Sequence, residues 1–290
     1  MKKSISIILC FCLIATLFIS CKKDNSEKTA DINYTYDSAY SFDDATIRAY
    51  KDLCKAVVNG ENELRMNSGL LDNVLQLFYT SFPLSVTVKN IEPNESVFRI
   101  IYKNEEKHSQ EVEDFINKVN EYKTDINNES DTAYAVRIYN KIASSIKVSD
   151  NPSISCYETM MNAEGTSFSY SNMFEYLLQQ KGIKAYHILC EDMGGNSKGI
   201  SAAELDGKLY YFDMFTEYYD NKGKLLKFFG MTTSDVQNIG LQNFIYTNRE
   251  TAGDASDLKF QACRICSKWE IETENLLITR NDGEIVQIAL

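Results

Sequence analysis

Asp206 and Gly207 constrain this chain more than any other pair of residues. They separate two alternating runs, 200–205 and 208–213. An Asp-Gly pair in that setting takes positive φ at both central positions of a two-residue turn, and the turn's twist then matches that of the flanking strands. An antiparallel hairpin is therefore expected. A further strand is expected over 183–190, and before it a helix over 167–181 that Gly182 ends.

Upstream, the spacing of apolar residues predicts helices rather than strands. One runs from Asp43-Asp44 to about Asn59 and stops at Gly60, and a second covers 70–79. After Pro83 the pattern changes to alternation over 84–88 and 97–102, with the turn Glu92-Pro93-Asn94-Glu95 between them, which predicts a β-hairpin. Helices return over 109–122, 131–146 and 154–163. Beyond Phe228 short helix and strand are expected, with a loop over 249–257. Helices first and a mostly antiparallel sheet afterwards make an α+β fold.

Composition excludes several classes. Three prolines and 13 glycines in 290 residues rule out a collagen-like or Gly/Pro low-complexity chain. A net charge of −11 repels phosphate backbones, so nucleic acid is not an expected partner. With two histidines in the chain, a His-rich metal site is excluded, and no metal or cofactor is expected.

Residues 1–20 carry a short basic start, Lys2-Lys3, and then an apolar run, which is the pattern of a secretory signal. The run is too short for a stable membrane-spanning helix. Phe18-Ile19-Ser20-Cys21 resembles the bacterial lipoprotein cleavage box, with Phe18 where leucine is usual. That resemblance implies an acylated Cys21, carrying palmitate-type chains, as the first mature residue. It implies a lipid bilayer as partner and a place in the cell envelope, at the outer membrane or cell surface. The bland alternative is an ordinary signal peptide with a chance cysteine. Residues 21–40 are polar and are expected to be a flexible tether.

Of the 8 cysteines, Cys10, Cys12 and Cys21 belong to the signal and anchor. Cys54, Cys156 and Cys190 lie among apolar residues and fit the core as small side chains. Cys263 and Cys266 form a lone CxxC; a local disulfide is expected there ahead of a metal site, since no further ligands stand nearby.

Residues 156–183, CYETMMNAEGTSFSYSNMFEYLLQQKGI, resemble the core of the transglutaminase-like family, which shares the papain-like fold. Gly165, Tyr170, Phe174, Leu177, Leu178, Gly182 and Ile183 carry the likeness. The hairpin 203–213, AELDGKLYYFD, and Phe228-Phe229-Gly230-Met231 with Ser234 and Asp235 continue it, so that it spans roughly 60–237. The resemblance implies a helix packed on an antiparallel sheet, preceded by a smaller helix-and-hairpin region. The boundaries expected are 41–125 for that region, 126–240 for the core and 241–290 for a β-rich extension.

The family works with cysteine, histidine and aspartate: a thiolate attacks, an imidazole moves the proton and a carboxylate orients the ring. In this sequence those positions hold Ser167, Lys198 and Asp213. Two of the three residue types are changed, so the resemblance implies a degenerate site and a module that binds a peptide, protein or glycan. The sharp alternative is an acyl-transfer enzyme or protease using Ser167 with Lys198 and Asp213. It meets a physical objection, because Asp213 beside Lys198 would keep the amine charged. Of the histidines, His187 is expected to be structural on its strand and His108 to be solvated. Tyr210-Tyr211 and Tyr218-Tyr219 are candidates for contact surface, each pair with one residue buried and one exposed.

Overall fold

The computed structural model describes residues 32–92, 96–123, 128–151 and 154–290. The expected signal peptide, Cys21, the tether up to residue 31 and the turn at 93–95 lie outside the described residues.

The central element is helix α6, Ser167–Gln180. Thr166, in extended backbone, caps it by a reciprocal box. The Thr166 hydroxyl accepts from Ser169 N–H, and Ser169 Oγ accepts from Thr166 N–H at 2.8 Å. Tyr170, Met173, Phe174, Leu177 and Leu178 are fully buried, and Ser171, Glu175, Gln179 and Gln180 are buried too. A helix enclosed on nearly every side is the middle of a core, not a surface element.

Strands β6 (Ala185–Asp192), β7 (Ser197–Leu205), β8 (Lys208–Phe212) and β9 (Leu241–Tyr246) form an antiparallel sheet against it, in the order β8-β7-β6-β9. Asp206 and Gly207 both take positive φ, 52° and 71°, as the turn chemistry requires. The close approach of β7 to α6 depends on Gly199. A Cβ there would stand 2.8 Å from Phe168 Cα and 2.9 Å from a His187 ring carbon.

Three helices and a small sheet precede this core: α1 (Asp44–Asn59), α2 (Leu71–Ser81) and α3 (Glu105–Tyr122), with β1 (Glu63–Arg65), β2 (Val86–Glu92) and β3 (Val97–Tyr102) in the order β1-β3-β2. Helix α4 (Asp131–Ser145) ties into the core through Tyr134, whose hydroxyl donates to Leu177 O at 2.9 Å. The short strands β4 (Lys147–Val148) and β5 (Glu164–Gly165) pair in parallel on either side of helix α5 (Cys156–Asn162). Helices α7 (Met214–Asn221) and α8 (Thr233–Asn238) follow the hairpin. The chain ends in an antiparallel meander of β10 (Cys266–Glu272), β11 (Asn275–Arg280) and β12 (Ile285–Ala289). The fold is mixed α+β, with a helix packed on an antiparallel sheet.

Several expectations are corrected. Residues 241–246 are not part of an extension, because β9 pairs with β6 and completes the central sheet. The regions expected at 41–125 and 126–240 fall within one unit, Asn33–Leu290. Packed chain begins before residue 41: Asn33 Nδ2 donates to Gln180 O at 2.8 Å, and Asp37 is fully buried. Tyr34, Tyr36 and Tyr40 give that stretch the aromatic area that its polar composition concealed. Helix α3 starts at Glu105, capped by Asn104, so it takes in His108. His108 is buried rather than solvated; its Nε2 is 2.6 Å from Val57 O and its ring lies 3.8 Å from that of Tyr102.

Candidate functional site

Ser167 is the first residue of α6, one step beyond the cap, and is 8% exposed. Its Oγ accepts a hydrogen bond from Gly199 N–H at 3.2 Å. Lys198, the preceding residue on β7, sends its ammonium group the other way. Lys198 Nζ donates to Asp213 Oδ2 and to Thr216 Oγ1, each at 2.5 Å. It also lies 5.9 Å from the centre of the Phe215 ring.

Asp213 is 1% exposed and caps α7. Its Oδ1 accepts from Thr216 N–H at 2.9 Å, and its Oδ2 accepts from the Thr216 hydroxyl at 2.7 Å. One carboxylate thus serves a helix N-terminus, a hydroxyl and an ammonium together, so its burial is well compensated. The structure brings Lys198 and Asp213 together as an ion pair. Ser167 stands beside the backbone of the same strand, but no hydrogen bond links it to Lys198 or Asp213. Thr216 is the member that the sequence reading missed. Its signal was the Asp213-x-x-Thr216 spacing of a helix cap.

A second serine lies closer to an imidazole. His187, 4% exposed on β6, has Nδ1 2.8 Å from Ser171 Oγ. Ser171 is 1% exposed; its hydroxyl donates to Ile200 O and lies 3.0 Å from Ser201 Oγ. Burial pushes the His187 imidazole down to about 4, so it is neutral at pH 7. The pair is a serine–histidine contact without access for a substrate, in keeping with a structural role.

Among the described residues the thiols offer no ready nucleophile. Burial pushes those of Cys54 and Cys156 far up, and those of Cys190 and Cys263 up to about 12. Cys263 and Cys266 are both free, which corrects the expected disulfide. Cys263 closes a 3₁₀ turn against the core, whereas Cys266 opens β10 and directs its sulfur to Lys268 O at 3.3 Å. Among the described residues no group of three or more His, Cys, Asp or Glu side chains is placed to hold a metal ion.

The tyrosine pairs also differ from expectation. Tyr210 and Tyr211 are both buried, because both faces of the sheet are covered. Tyr210 OH donates to Asp257 and Tyr211 OH to Gly253 O. Tyr218 and Tyr219 sit on α7 rather than on a strand, with Tyr219 60% exposed.

No family model matches this chain, and no curated protein matches it. Solved structures similar to it include a proposed protease from Parabacteroides distasonis (TM-score 0.34, 9% identity, 61% of this chain and 41% of that one). Another is described as a TGase (TM-score 0.31, 8% identity, 52% of this chain and 48% of that one). A third is a proposed cysteine protease from Cytophaga hutchinsonii (TM-score 0.31, 12% identity, 60% of this chain and 80% of that one). The chain spans less than half the length of the first two.

Proposed function

We propose that this protein is an envelope lipoprotein whose transglutaminase-like domain binds a peptide, protein or glycan and does no acyl transfer. The observation that carries this reading is the commitment of Lys198 to Asp213 and Thr216. A serine attacks an acyl carbon only if a neighbouring base takes its proton. The amine at the histidine position donates to a carboxylate and a hydroxyl, and no hydrogen bond joins it to Ser167. Ser167 meanwhile accepts from a backbone amide and is linked to no base. The imidazole of His187 is neutral, but it is engaged with Ser171.

The anchor is Cys21, acylated after removal of residues 1–20, as the box Phe18-Ile19-Ser20-Cys21 supports. Two or more acyl chains hold a protein stably on a bilayer, where a single chain gives marginal binding. Without Lys2 and Lys3 the net charge of −11 becomes −13 in the mature chain, which gives no help at an anionic surface, so lipid is the means of attachment.

Two measurements test the reading. Purified full-length protein in detergent, offered peptide amides, activated esters and primary amines, should produce no hydrolysis or transfer above buffer. In living cells, photo-crosslinking from Tyr219 should trap a discrete envelope partner. Turnover that disappears in Ser167→Ala would establish the enzyme instead.

A further inference from the structure

Asn172, Glu175, Tyr176 and Gln179 recur at i, i+3, i+4 and i+7, which places them on one stripe of α6. They line a cavity of about 180 Å³ whose opposite wall includes Phe82 and Cys156. Glu175 is 3% exposed, and Gln179 Nε2 donates to its Oε1 at 2.9 Å. Tyr176 is 2% exposed, and its hydroxyl has no hydrogen-bond partner among the described residues.

The groups facing Glu175 come from several elements. They are Asp37 from the segment before α1, Tyr50 from α1 and Cys156 from α5, with Tyr176 beside it on α6. Each is neutral or acidic. Among the described residues no lysine, arginine or histidine pairs with Glu175 or Asp37. Asp37 takes its hydrogen bonds from Ala39 N–H and the Thr247 hydroxyl. Burial, and next the charge of Asp37, raise Glu175 well above the ordinary carboxylate range.

A cavity with the buried Glu175 carboxyl on its wall, no counter-cation among the described residues, and the rings of Tyr79, Phe82 and Tyr176 in its lining is the complement of a small organic cation. The carboxylate supplies the charge-assisted hydrogen bond. The rings supply attraction to the cation and an apolar wall for its carbon chain. A cavity of about 150 Å³ accommodates a benzene-sized molecule, so the present one suits an alkylamine of about five or six non-hydrogen atoms.

We propose that this chamber binds a small primary alkylammonium ion, with Glu175 as its counter-ion. The proposal stands independently of the reading of Ser167. Binding converts the Glu175 carboxyl to a carboxylate paired with the ammonium, and the released proton passes to solvent. Affinity tightens as pH rises, for as long as the empty site is protonated and the amine is charged.

The test is titration calorimetry on the full-length protein in detergent, with n-butylammonium chloride at pH 6, 7 and 8 in two buffers of different ionisation enthalpy. Affinity should rise from pH 6 to pH 8, with proton release on binding. n-Butanol, the uncharged counterpart, should bind at least tenfold more weakly. Glu175→Gln should weaken butylammonium at least tenfold and abolish proton release. Cys156→Met, which narrows the chamber and keeps Glu175, should weaken it as well, with circular dichroism confirming that both variants are folded. Equal binding of butanol, an affinity independent of pH, or full binding in Glu175→Gln would each overturn the proposal, as would absence of butylammonium binding to the wild type.

Discussion

Removing one half of the Lys198–Asp213 pair leaves the other half without its counter-charge. Asp213 is 1% exposed, so Lys198→Ala should cost about 3 kcal/mol in urea unfolding, the scale of a broken buried pair. The same positions allow a reversal. In the double variant Ser167→Cys, Lys198→His, an imidazole oriented by Asp213 would stand near a thiol at a helix N-terminus. Iodoacetamide should then alkylate that thiol about tenfold faster than in Ser167→Cys alone. No acceleration would mean that the three positions do not form one site. His187 makes a pH prediction. Its folded value, about 4, lies below the unfolded 6.5, so its contribution to stability is complete above pH 6.5 and is lost as pH falls toward 4. The wild type should lose up to about 3 kcal/mol more than His187→Asn over that interval. Glu175 has the opposite sign. Its raised value makes the folded state less stable as pH climbs above 4.5, so Glu175→Gln should stabilise the protein more at pH 8 than at pH 5. At this scale the sequence disclosed identities but not partners. Ser167, Lys198 and Asp213 could be named from the resemblance to the transglutaminase-like family, whereas Thr216 and Ser171 acquire their roles only through contacts made by folding.

The elements most legible in the sequence are those set by local chemistry. The Asp206-Gly207 turn, the Gly60 stop, the apolar stripes of α1 and α4 and the cap of α6 all depend on neighbours within one or two turns. Strand β9 was not legible as part of the sheet. Its partner β6 is remote in the chain, and Asn243, at φ 58°, interrupts its alternation. Helix α7 was hidden because Asp213 seemed to end a strand, when it also begins a helix. The start of α3 was misplaced because Glu105-Glu106-Lys107 looked like solvent-facing sequence, although acids belong in a helix's first turn. The junction of β7 and α6 gives the prediction at this scale. Gly199→Ala puts a methyl 2.8 Å from Phe168 Cα, and backbone there cannot move cheaply. A loss of about 1–3 kcal/mol is expected, the cost of overpacking, measured by thermal or urea unfolding.

At the scale of the whole molecule, a central helix and sheet were legible because their pattern is dense between 156 and 213. The boundaries were not, because the segment from Asn33 and strand β9 belong to the same unit as that core. The proposed membrane attachment predicts that wild-type protein partitions into detergent in a Triton X-114 extraction, and that Cys21→Ser moves it to the aqueous phase. The proposed binding role at a membrane surface needs no chemistry at Ser167, and Lys198 is paired with Asp213. The most direct measurement is mass spectrometry of the full-length protein after treatment with a fluorophosphonate probe. The account predicts an unmodified Ser167 peptide; a stoichiometric phosphonyl adduct on Ser167 would contradict it.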